Sequence, residues 1–135
     1  MGAWLRIFET KWFARFARKE KIEGGRLREA IDRAEQGNVD AELGGNLIKQ
    51  RVAREGQGRS GGYRAVIAYH TKTRSVFLYG FAKNQLQNIS ADDLEDIKRT
   101  AKRFLSMNDE ELEKAVAASE LIEVTHDTEN KKEIP

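Results

Sequence analysis

"NLIKQRVAREGQGRSGGYRAVIAY", residues 46–69, holds two apolar runs joined by a stretch dense in glycine and arginine. Its pattern predicts a strand around Leu47–Val52, a loop from Arg54 to Gly62, and a second strand from Tyr63 to His70. "SVFLYGFAK", residues 75–83, is equally rich in aromatic and β-branched residues and follows the polar turn "TKTR", so it reads as the antiparallel neighbour of the second strand. Three adjacent strands are the expected body of a small antiparallel sheet.

Working outward, "AWLRIFET" at residues 3–10 reads as a short first strand, with Trp4, Arg6 and Phe8 on one side and Leu5 and Ile7 on the other. Thr10 then caps a helix whose apolar stripe is Trp12, Phe13, Phe16 and Ala17, ending at Gly24 and Gly25. A second helix, "RLREAIDRAEQG", buries Leu27, Ala30, Ile31 and Ala34 and stops at Gly37. Downstream, Ser90 with Asp93 is a capping-box signature before the helical stripe Leu94, Ile97, Ala101, Phe104 and Leu105. Asn108 with Glu111 starts a last helix, read through "DEELEKAVAASELIEV", before the unpatterned end "HDTENKKEIP". The expected class is α+β: a small antiparallel sheet with two N-terminal helices packed on it, plus C-terminal helices.

At 135 residues the chain is one domain's worth, with 34% charged and 39% hydrophobic residues and no apolar run long enough for a membrane span. It has no cysteine and two widely separated histidines, His70 and His126, which argues against disulfides and metal centres and fits a reducing cytoplasm. The basic, aromatic N-terminus lacks the apolar core and cleavage site of a targeting peptide and is read as part of the fold. A formal charge of +2 conceals an asymmetry. Residues 1–106, the expected body, carry 21 Lys/Arg against 13 Asp/Glu; residues 107–135, an acidic extension, carry 3 against 9. That extension is expected to pack as a helix on the flank of the body.

Within residues 43–91 eight cations meet one acid, Glu55. A solvated surface is the ordinary explanation of such a run, but strand alternation points Lys49 and Arg51 the same way, with Arg64 across the loop. Pairing the two strands would bring Lys49, Arg51 and Arg64 onto one face, fringed by Arg54 and Arg59, a set suited to phosphate. "GRSGGYR" lacks the lysine–serine pair of a nucleotide-binding P-loop. Aromatics are interleaved: Phe77, Tyr79 and Phe81 share one face by the period of two, and Tyr63, Ile67 and Tyr69 another. They suit either a core under the helices or base stacking, with Arg64, Val66 and Ala68 on the opposite, more open face. His70 ends a strand at a turn and reads as a surface residue.

The ordered set "NLIKQRVAREGQGRSGGYRAVIAY", "FLYGFAKNQLQNIS" and a following helix resembles the RelE/HigB superfamily of type II toxins, closest to its HigB-like branch. The resemblance spans residues 1–105 in element order and is sharp over 46–90. It implies a toxin that cuts messenger RNA, commonly on the ribosome, and a cognate antitoxin, typically of helix-turn-helix fold, that holds it inactive. By position it implies Lys49, Arg51, Arg64 and Lys83 as catalytic and Arg54, Arg59, Tyr63 and Asn84 as RNA-binding, with no cofactor or metal. The chain departs from RelE at Asn84, where RelE has arginine, and nothing in "QLQNIS" matches its C-terminal tyrosine. The general base is therefore left unassigned. A ParE-like inhibitor of DNA gyrase and a non-catalytic RNA-binding module are the alternatives on the same fold.

Overall fold

The structure, a computed structural model, describes residues 5–54, 58–70, 73–82 and 90–124. In chain order it holds β1 (Arg6–Thr10), α1 (Lys11–Glu20), α2 (Gly24–Glu35), β2 (Ala41–Gly44), β3 (Leu47–Arg54), β4 (Gly58–His70), β5 (Arg74–Ala82), α3 (Ala91–Leu105), α4 (Asp109–Ala117) and β6 (Leu121–Val124). Six strands make one sheet in the order β2-β3-β4-β5-β1-β6. The α+β class holds, but the sheet is mixed, because β1 runs parallel to β5 while the other neighbours are antiparallel.

Each face of the sheet buries an apolar layer. On one face Phe13 and Ala17 of α1 and Leu27, Ala30, Ile31 and Ala34 of α2 pack over Ile48, Val52, Tyr63, Ala65, Ile67 and Phe77. On the other, Ala101 and Phe104 of α3 and Leu112 and Ala115 of α4 cover Phe8, Leu47, Val66, Ala68, Val76 and Leu121. The local signals that start the helices are in place. Thr10 Oγ1 accepts from the Phe13 amide at 3.1 Å, Ser90 Oγ from Asp93 at 3.1 Å, and Asn108 with Glu111 forms a full capping box.

Several boundaries differ from expectation. The glycine pair does not end α1: Lys21, in the left-handed region at φ 60°, caps it, and Gly24 and Gly25 open α2. The stretch before β3 is itself a strand, because Gly45 and Asn46 both take positive φ, 61° and 62°, and close a two-residue hairpin from β2. The expected loop over 54–62 is shorter, since the β3–β4 ladder continues past an irregularity to Arg54 and Gly58. Finally the C-terminal helix stops at Ala117: Ser119 at φ 62° turns the chain, and Leu121–Val124 joins the sheet beside β1. The flanking helix α4 packs on the body as expected, and β6 extends the same sheet.

Candidate functional site

The site is built from two rungs that cross three strands. Arg51 of β3 lies opposite Arg64 of β4, which lies opposite Phe81 of β5; one step along, Lys49, Val66 and Tyr79 are aligned in the same way. Side chains that pair directly across strands share a face, so Lys49, Arg51 and Arg64 come together on the α3 side of the sheet, as their spacing predicts. That face is less open than expected, because Val66 and Ala68 are fully buried beneath α3 and α4.

Two guanidiniums directly opposite one another repel, and one carboxylate moderates this. Asp40, just before β2, accepts the Arg51 amide at 2.7 Å and its Nη2 at 3.0 Å, and also takes Nη1 of the buried Arg33 at 3.2 Å. Burial opposes ionisation of Asp40, yet the Arg51 amide and the two guanidiniums outweigh it and hold the carboxyl below its ordinary value. Arg33 adds Glu29 at 3.0 Å and donates to the Arg51 carbonyl, which ties α2 to the strand that carries the cations. Gln50 beside it is satisfied throughout: its Nε2 donates to the Ala30 and Asn38 carbonyls at 2.9 and 3.3 Å, and its Oε1 accepts the Asp40 amide at 2.6 Å. Arg51 is thus oriented while 42% of its side chain stays exposed.

Arg64 receives no carboxylate among the described residues, and neither does Lys49. Burial and the facing Arg51 both lower the Arg64 pKa, with Asp40 in partial opposition. Across this corner Lys49, Arg51, Arg64 and Arg33 face two carboxylates, Asp40 and Glu29. The balance is positive, and an anion placed between Arg51 and Arg64 would relieve the repulsion.

Not every expected residue is at this corner. Tyr63 is 3% exposed on the opposite face, where its hydroxyl donates to Glu20 Oε1 at 2.7 Å and its ring meets Phe16 edge-on at 5.5 Å. It is core, and its expected contact with RNA is withdrawn. The single face expected for Phe77, Tyr79 and Phe81 is also broken: the β4–β5 register shifts between Val66 and Ile67, so Leu78 is an extra residue in β5. Phe77 therefore packs under α1 and α2 while Tyr79 and Phe81 turn to the cation side. The side chains of Arg54 and Arg59, and all of Lys83 and Asn84, lie outside the described residues. His70 is exposed, its Nδ1 3.1 Å from Thr73 Oγ1, a turn residue as expected.

Asp40 and Arg33 are the residues that sequence reasoning missed. Their signal, an acid before a four-residue strand and a cation on a helix stripe, carries meaning only once β2 is known to bring Asp40 beside Arg51. No group of His, Cys, Asp or Glu suited to a metal ion occurs among the described residues, and no described helix is long and apolar enough to cross a membrane.

A search of curated proteins finds no match to the chain. The family model for the RelE toxin of the RelE / RelB toxin-antitoxin system matches residues 5–124, which include every strand and helix described above. That span covers most of the chain, so the protein belongs to the RelE toxin family of toxin–antitoxin systems.

Proposed function

We propose that this toxin is an endoribonuclease that cleaves messenger RNA on the translating ribosome, in the cytoplasm, and is held inactive by a cognate antitoxin. Its K-x-R strand and G-G-x-R strand start favour the HigB-like branch. The observation that carries the reading is the direct cross-strand Arg51–Arg64 pair, in which Asp40 holds the part-exposed Arg51 and no described carboxylate bonds Arg64. Cleavage by transesterification needs the 2′-oxygen to attack phosphorus, the extra negative charge of the phosphorane to be stabilised, and the 5′-oxygen to leave with a proton. Arg51 and Arg64 supply the stabilisation from fixed positions, Arg51 through the Asp40 clamp and Arg64 through its place in the middle of the sheet. Lys49, one rung away, is the proton-transfer candidate, and Lys83 a second contact to the backbone.

The test is a cell-free translation reaction with messenger RNA ends mapped by primer extension, comparing the protein with Arg64→Ala. New ends that require active ribosomes, and that fall about 10²- to 10³-fold in the variant, are the expected result for loss of one charge-stabilising donor. Intact messenger RNA under every condition overturns the nuclease reading, and inhibition of DNA gyrase by the same preparation would then identify a ParE-like inhibitor.

A further inference from the structure

β1 pairs with β5 from Arg6↔Arg74 to Glu9↔Phe77, so among the described residues the end of β5 that reaches the cations has no strand on that side. The start of α1 fills the gap. Thr10 Oγ1 donates to the Leu78 carbonyl at 3.3 Å, and two residues later the Trp12 ring lies against Tyr79, centroids 4.6 Å apart and planes 29° from parallel. Tyr79 in turn meets Phe81 at 6.2 Å, and Phe81 is the cross-strand neighbour of Arg64. A continuous aromatic row thus runs from the arginine pair to Trp12.

Trp12 is the odd member of its helix stripe. Phe13 is fully buried, whereas Trp12 keeps 43% of its surface exposed, the one large hydrophobic residue so exposed among those described. Tyr79 is the diagonal cross-strand neighbour of Arg64, about 7–8 Å away, and Trp12 adds the 4.6 Å of its stack on Tyr79, so the row covers roughly 12 Å, a span that two nucleotides bridge. Aromatic faces beside a cationic track are how proteins hold single-stranded nucleic acid.

We propose that Trp12, backed by Tyr79, is a base-stacking site for a nucleotide of single-stranded RNA whose phosphate lies on Arg51 and Arg64. It rests on the ribonuclease reading and names where the substrate's base is held. The stacking is apolar and indifferent to base identity, so it sets affinity and position, while the arginines carry the charge.

The experiment uses the Trp4→Phe protein, in which Trp12 is the remaining tryptophan, titrated with an uncleavable 2′-O-methyl single-stranded oligonucleotide. Fluorescence of Trp12 and anisotropy of a labelled oligonucleotide are followed together. Binding should quench Trp12, and a duplex of the same sequence should not. In the otherwise native chain, Trp12→Ala should weaken binding about tenfold and Trp12→Phe much less, as expected for loss of one stacked base. The salt dependence separates the two roles: Trp12→Ala should leave the slope of log K against log salt unchanged, while Arg64→Ala reduces it by about 0.7. Binding without quenching, together with an unchanged affinity of Trp12→Ala, overturns the stacking site and leaves the nuclease reading standing. No anisotropy change with any single strand, and no cleavage on ribosomes, overturns both.

Discussion

Glu9 shows how a single residue can act against its own fold. It sits on β1 in a cleft of about 680 Å³ between α1 and β6, lined also by Lys11, Arg15, Arg18, Ile22 and Ile122. Burial pushes its carboxyl up to about 7, and Arg18 only partly offsets this. A carboxyl with a raised pKa in the folded state binds its proton more tightly there than in the unfolded chain. Stability is therefore fullest below the unfolded value, falls as pH rises, and reaches its lower level above about 7. Glu9→Gln removes the penalty. Urea unfolding should find the variant more stable by about 1–3 kcal/mol at pH 8 and little changed at pH 4.5; an equal difference at both values would show that Glu9 is not the group responsible. Residues of this kind are hard to read from sequence. The convergence of Lys49, Arg51 and Arg64 was legible because it needs only alternation and one strand pairing, whereas the Asp40 clamp and the burial of Glu9 depend on elements brought in from elsewhere.

At the scale of elements, β5 carries the decisive irregularity. The extra residue Leu78 lets Phe77 serve the α1–α2 core and Phe81 the cation face, and it leaves Gly80 facing α1. A Cβ at Gly80 would stand 2.6 Å from Phe16 Cε2 and 2.9 Å from Phe13 Cε1, closer than packed carbons tolerate. Because Phe13 is buried and Phe16 is wedged between Trp12, Phe13 and Tyr63, α1 must shift to admit a methyl group. Gly80→Ala should cost about 1–3 kcal/mol in urea unfolding and, by moving α1, disturb the Trp12–Tyr79 contact, which a change in Trp12 fluorescence would register. An alanine variant as stable as the parent would show that α1 floats on the sheet. The elements themselves were legible where the pattern was strong: both N-terminal helices, β3 to β5, and the capped starts of α3 and α4. What escaped was short or interrupted. "AELG" has little β propensity and forms β2 because its hairpin and β3 hold it, and "LIEV" follows a helix closely enough that its leucine and isoleucine fit the same stripe. A bulge leaves no mark in hydrophobic alternation, so the aromatic face of β5 was read one residue too regularly.

At the scale of the whole molecule, the paired acids of the described C-terminal segment lie apart from the cationic rungs. Three acids of the C-terminal segment pair with cations of the body: Glu123 and Glu113 hold Arg6 at 2.8 and 3.0 Å, and Glu120 holds Arg103 of α3 at 2.6 Å. The cationic rungs lie across β3 to β5, so these carboxylates neutralise other cations of the body, and among the described residues none of them reaches Arg64. The same segment closes the core, since Leu112, Ala115 and Leu121 are buried with Phe8 and Phe104, and β6 covers the outer edge of β1. Burying two leucines contributes about 3–6 kcal/mol before the lost strand pairing is counted, against a total stability of about 5–15 kcal/mol for a typical domain. A chain ending at residue 106 should therefore fail to show a cooperative urea transition by circular dichroism. A chain ending at Val124 keeps every contact described and should unfold at the midpoint of the full protein. If the 106-residue chain instead folded cooperatively and still cut messenger RNA, the C-terminal segment would be an accessory to the nuclease; its loss of folding would make β6 and α4 part of what holds Arg51 and Arg64 face to face.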